Sequence, residues 1–379
     1  MAAEQQPDAL TDRTANGRGA RHEVAGSPSV SVPATPVDHG WLDDGHGVLS
    51  CVAGDEHTPT AIAACPYYLR TDVVAALDQL ARPLWTPDLT PTLLWRGEPY
   101  HKITRLAGPQ TWPRLVTALP ATHGLRRLAW SLFSELDAAR VVRTVDPRDA
   151  FRAALADPTG MGNALALLGE LCALVGDPGN RAGLLGLTGS AALDPALLGR
   201  TNDIDLMVYP GTDQPRLLGG LRALGARFLA DLHHTDPRRS AYLASRLMPP
   251  TTDPATLRAL YGRRHDVAWV DDLRIDLTYG GEHGVQLVTL PYTTPPTGRY
   301  RGTLTVTGVE DRYPVVLHVA DADIDRLLIT ARGYQGAFRP GDRIRVDAAM
   351  HRPTHPAPFA SVDDAAGHTI TLLEGEEHA

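Results

Sequence analysis

Two short stretches of the chain combine residue types that do chemistry together. Leu184-Leu185-Gly186-Leu187-Thr188-Gly189-Ser190 reads as an apolar strand running into a Gly-Ser turn. Asn202-Asp203-Ile204-Asp205-Leu206-Met207-Val208 opens a second strand with Asp-x-Asp. Residues two apart in a strand point to the same face, so Asp203 and Asp205 project side by side from one sheet edge. Two adjacent carboxylates repel each other unless a cation sits between them, and an all-oxygen donor pair suits Mg2+. Gly189 lets the backbone approach closely, and the N–H groups around Ser190, at the start of a helix, point where phosphate oxygens would sit. A metal beside a phosphate cradle is the equipment of phosphoryl or nucleotidyl transfer. A third acid is expected from a neighbouring strand, and Arg274-Ile275-Asp276-Leu277-Thr278 supplies it. Asp276 lies between apolar residues, where an unpaired carboxylate is costly. Its expected role is to bind the metal and accept the proton of an attacking hydroxyl.

Gly-Ser, a short helix, Asp-x-Asp and a later strand Asp together resemble the nucleotidyltransferase superfamily of DNA polymerase β type. The resemblance covers residues 183–280. It implies a mixed central sheet, two divalent ions (Mg2+ or Mn2+) held by three carboxylates, and transfer of an NMP from an NTP such as ATP with release of pyrophosphate. It implies Gly189 and Ser190 as triphosphate ligands, Asp203 and Asp205 as ligands of both metals, and Asp276 as ligand of the catalytic metal and base. Many small members carry an arginine shortly after Gly-Ser. Here Ala191-Ala192-Leu193 follow, so the candidate cations for the nucleotide are Arg200, Arg263 and Arg264. The whole-chain arrangement is also similar to uncharacterised prokaryotic nucleotidyltransferase-domain proteins, with a small α+β unit before the motif and a β-rich tail after it.

The elements that must position these residues read as a multidomain α+β chain. Residues 1–37 are polar, rich in Pro, Ser and Ala and free of aromatics. Such a segment buries too little apolar area to offset chain entropy and is expected to be a disordered arm. Residues 38–108 read as a small α+β unit, with strands at 47–52 and 60–65 and a helix at 71–80. Residues 109–292 read as a helical segment leading into the nucleotidyltransferase core. Apolar residues recur at helical spacing from Leu125 to Leu136, Asp146-Pro147 is a helix start, and Asn163 to Val175 is an apolar helix. Residues 296–375 alternate in strand fashion and read as a small OB-like β-barrel.

Composition narrows the partners. Of 36 basic residues only Lys102 is a lysine, and it lies outside the motif. Phosphate is therefore expected to be held by arginine forks, backbone N–H groups or metal. A net charge of −8 argues against a general nucleic-acid coat. The stretch from Pro296 to Arg352 carries nine arginines against seven acids, which leaves nucleic acid possible through the β-domain. Three cysteines without C-x-x-C spacing make neither a disulfide framework nor a structural zinc site, and suggest a reducing, cytoplasmic compartment. No apolar run approaches the ~20 residues of a membrane span, so no membrane partner is expected. His233-His234, with no further ligand spacing nearby, reads as a solvated loop pair. A small-molecule acceptor fits the acidic charge best. An RNA or tRNA end, a protein hydroxyl, or a non-catalytic nucleotide-binding regulatory role are the alternatives.

Overall fold

The computed structural model describes residues 36–54, 57–81, 91–103, 119, 123–127, 134–156, 162–199, 203–245, 253–280, 294–311, 315–330, 334–353, 357–363 and 367–373. Almost all of the expected N-terminal arm and the candidate Arg200 lie outside them. The described part is mixed α+β, with three sheets, one of which closes into a barrel. Among the described residues no helix is long and apolar enough to cross a membrane.

The first sheet is built around the ten-residue strand Ala61–Arg70. The order along it is Leu93–Trp95, Glu98–Lys102, Ala61–Arg70, Val48–Val52, Trp41–Asp43 and Arg143–Val145. Helix Thr71–Ala81 follows the long strand directly, as the sequence pattern predicts. The expected end of this unit near 108, and the helix expected over 125–136, are both corrected. Leu125–Arg127 and Ser134–Asp137 are antiparallel strands, and Ser134–Asp137 pairs with the first half of Ala61–Arg70. The long strand offers unpaired N–H and C=O groups there, and Leu136 is buried against Ile62. Satisfying that edge while burying Leu136 outweighs the local helical spacing.

The second sheet runs Arg227–Phe228, Val267–Val270, Leu273–Tyr279, Asp203–Val208, Leu185–Leu187. Asp203–Val208 and Leu273–Tyr279 are parallel and the other neighbours antiparallel. Ile204, Leu206, Ile275 and Leu277 fill one face together with Phe151, Leu168 and Leu221 from three helices, Pro147–Ala156, Gly162–Leu174 and Gln214–Ala223. The first of these starts where Asp146 predicts, with its Oδ1 accepting from the Arg148 N–H at 2.7 Å. The same core takes in Trp41, Leu49 and Tyr68 from the first sheet, so the two sheets share one interior rather than meeting as separate bodies.

The third sheet closes on itself. Its order is Gly298–Glu310, Val315–Ala320, Arg326–Ile329, Phe359–Val362 and Arg343–His351, which returns to Gly298–Glu310. The first strand is long enough to serve both neighbours, with a register shift between Val306 and Gly308. Thr369–Leu373 adds outside the circuit, on Arg343–His351. Leu304, Leu317, Leu327 and Ile344 fill the barrel, joined by Leu260 from helix Pro254–Tyr261.

Burial lowers the proton affinity of two histidines of this domain. His351 Nδ1 lies 2.8 Å from the Thr294 carbonyl and so carries the proton, which leaves Nε2 to accept from Ser361 Oγ at 2.9 Å. His368 Nδ1 accepts from the Asp363 N–H at 3.0 Å. Burial, followed by the nearby Arg299 charge, depresses His368 from 6.5 to about 4. Between those values the unfolded chain binds a proton that the native barrel refuses, so stability is lost as pH falls from 6.5 to about 4. Thermal melts across that range should show the loss, and His368→Asn, which keeps an acceptor near the Asp363 amide, should flatten it. An unchanged slope in the variant would assign the acid sensitivity elsewhere.

Candidate active site

The three acids meet at the parallel pair of the second sheet. Asp203 stands in register with Arg274 and Asp205 with Asp276. Alternation puts Ile204, Leu206, Ile275 and Leu277 into the core, so the four charged side chains share the other face. The Arg274 guanidinium bridges two of them, 2.7 Å from Asp203 Oδ2 and 3.1 Å from Asp276 Oδ2. It also lies over the Tyr242 ring, 5.7 Å from the centroid.

Asp205 is under electrostatic strain. Loss of solvent, then the charges of Asp276 and Asp203, push its carboxyl from 3.8 up to about 6, against the opposing pull of Lys102 and Arg274. The Gly-Ser turn closes directly over it. The Thr188 N–H donates to the Asp205 carbonyl at 2.9 Å. Gly189 then adopts φ +65°, and a Cβ at that position would overlap Asp205 Oδ2. Two independent constraints, a left-handed backbone and contact with a carboxylate, therefore demand glycine at 189. The five-residue helix Gly189–Leu193 starts here, with Ala191, Ala192 and Leu193 buried.

The first sheet reaches into this site, which the sequence reading did not foresee. Thr188 Oγ1 donates to the His39 carbonyl at 3.0 Å. The fully buried Tyr68 shares a side-chain hydrogen bond with Ser190, and burial raises its phenol well above the usual range. Lys102, in register with Tyr68, extends its charge to Asp205. The expectation that Lys102 stands apart from the motif is thus corrected: sheet pairing with Tyr68, rather than chain proximity, brings its charge toward Asp205.

 

The contacts that build the site span 149 residues between Thr188 and His39 and 71 between Arg274 and Asp203.

The other predicted cations are not brought to the acids. Arg263 Nη1 binds both oxygens of Asp342, at 2.7 and 2.9 Å, and so ties helix Pro254–Tyr261 to the barrel. Arg264 is buried in a two-pronged pair with Asp266 and lies over the Tyr261 ring, 4.9 Å from the centroid. Arg263 thus serves the joint between sheet and barrel, and Arg264 a pair within its own segment. Arg200 lies outside the described residues. His233 and His234 sit in an exposed loop with their rings 4.0 Å apart, without a third ligand beside them.

Among the described residues no three His, Cys, Asp or Glu side chains are gathered as a ready metal-binding group. The donor set is nonetheless of the kind a hard divalent cation takes, three carboxylates and no sulfur or imidazole. Arg274 is the stand-in charge between Asp203 and Asp276, and a metal would have to displace it.

Two substitutions test this geometry. Gly189→Ala should destabilise the protein by roughly 2 kcal/mol or more in denaturant melts, since it forces both an unfavourable φ and an overlap with Asp205. Asp205→Asn should do the reverse. The native carboxyl holds its proton up to about 6 while the unfolded one loses it near 3.8, so wild-type stability falls as pH rises through that window. In metal-free buffer the Asn variant should gain about 1–2 kcal/mol above that window, after discounting for solvent screening, and nothing below it. A gain that does not vary with pH would rule out charge repulsion as its cause.

No family model, curated protein or solved structure matches the chain.

Proposed function

We propose that this chain is a Mg2+- or Mn2+-dependent nucleotidyltransferase that moves an NMP from an NTP to a hydroxyl or phosphate of a small acceptor, releasing pyrophosphate. The observation that carries the reading is the register of Asp205 with Asp276 on parallel strands, beneath a glycine that only a close-approaching turn requires. Asp203, Asp205 and Asp276 would hold the divalent ions. When bound, these would neutralise charge on the phosphates and on the reacting oxygens. Gly189 and Ser190 would bind the triphosphate, and Tyr68 holds the Ser190 side chain in place for it. Asp276 would accept the proton of the acceptor hydroxyl.

A small acceptor is favoured over a nucleic acid. The barrel has the five-stranded closure of an OB-like module, which supports that finer reading of its fold. Strand-binding barrels of that kind use exposed aromatics on a basic groove. Among the described residues of the barrel, Tyr300, Tyr334, Phe338 and Phe359 are all buried. Arg299 and Arg301 both hold Asp347, and Arg326 holds Asp325. The three free cysteines are all buried, in keeping with a reducing compartment such as the cytoplasm.

Pyrophosphate release should be measured with each of four NTPs, Mg2+ or Mn2+, and pools of sugars, antibiotics, nucleosides and RNA. Wild-type turnover with at least one pool is expected, and Asp203→Asn should abolish it while circular dichroism stays unchanged. Undiminished turnover in that variant would sink the assignment.

A further inference from the structure

The polyphosphate of the proposed substrate needs a cation, and Arg274, Arg263 and Arg264 are each already paired with acids. Arg274 is paired with Asp203 and Asp276, Arg263 with Asp342, and Arg264 with Asp266. Lys102 is different. It ends the strand Glu98–Lys102 and is half-buried, yet among the described residues it makes no ion pair. Its ammonium rests 5.0 Å from the centroid of the Tyr67 ring.

The backbone explains how it comes to face the Gly-Ser turn. Lys102 stands directly opposite Tyr68 in an antiparallel pair, so the two side chains leave the same face of the sheet. Tyr68 reaches Ser190 from that face. On the other side of the long strand the register skips Tyr67, passing from Leu49–Tyr68 to Ser50–Pro66. Such an extra residue re-aims its side chain, and Tyr67 thereby lies beneath the lysine and edge-on to Tyr68, 5.3 Å between ring centroids. An ammonium on an aromatic face is partly desolvated, which strengthens its pairing with an incoming anion.

We propose that Lys102 binds the polyphosphate chain of the nucleotide at the Gly189-Ser190 turn, so that the first sheet supplies the cation missing after Gly-Ser. This rests on the nucleotidyltransferase reading. The charge of Lys102 already acts on Asp205, which places it within electrostatic reach of the turn above that carboxylate. Lys102 would then discriminate nucleotides by phosphate number.

Calorimetry with ATP, ADP and AMP in Mg2+ buffer tests this without relying on turnover, with inorganic tripolyphosphate as a competitor. Wild type should bind ATP more tightly than AMP. Lys102→Met should weaken ATP by about tenfold, leave AMP nearly unchanged and lose competition by tripolyphosphate. Lys102→Arg should recover part of the affinity. Unchanged ATP binding in Lys102→Met, or equal losses for ATP and AMP, would overturn the role of the lysine alone. Absence of ATP binding to wild type would overturn both this inference and the function on which it rests.

Discussion

Like charges crowded on one sheet face are the constraint around which this molecule is arranged. Asp203, Asp205 and Asp276 are held together because the opposite faces of their strands are locked into the core by Ile204, Leu206, Ile275 and Leu277. Burial of those apolar groups, each worth about 1.5–3 kcal/mol, supports a carboxylate cluster that would otherwise fly apart. Arg274 offsets part of the repulsion from within the sheet, and Lys102 offsets part from outside it. Under the proposed function, a site kept short of positive charge in this way would take up cations and the anions that travel with them.

The first sheet is part of that preparation. It shares the interior of the second sheet through Trp41, Leu49 and Tyr68, and it touches the Gly-Ser turn through His39 and Tyr68. The barrel stands in a different relation. It is joined by Arg263–Asp342, by Leu260 entering its core, and by the Thr256 hydroxyl accepting from the Leu372 N–H at 3.1 Å. All of these lie around helix Pro254–Tyr261, which precedes the strand Val267–Val270 paired with the Asp276 strand.

The acids and the glycine were legible because their signals are local. Strand alternation places Asp203 beside Asp205, and a Gly-Ser turn after an apolar strand announces itself within seven residues. The barrel strands were legible for the same reason. Contributions from the first sheet were not, because no local pattern ties Tyr68 or Lys102 to Ser190. The pairing of Arg264 did carry a signal: Arg264 and Asp266 are two apart, which in extended chain sets them on one face as a pair. The strands at 125–127 and 134–137 were hidden by apolar spacing that suits a helix equally well until a free strand edge is available.

The site is also a statement about folding order. Its members come from segments far apart in the chain, with 149 residues between Thr188 and His39 and 71 between Arg274 and Asp203. Helices and hairpins close over short loops and form early, whereas contacts of high sequence separation must wait for the entropy of long loops to be overcome. The carboxylate cluster gains nothing by forming before its core is packed. The chemical centre is thus held by contacts whose loop-closure cost is offset only by the core packed around it.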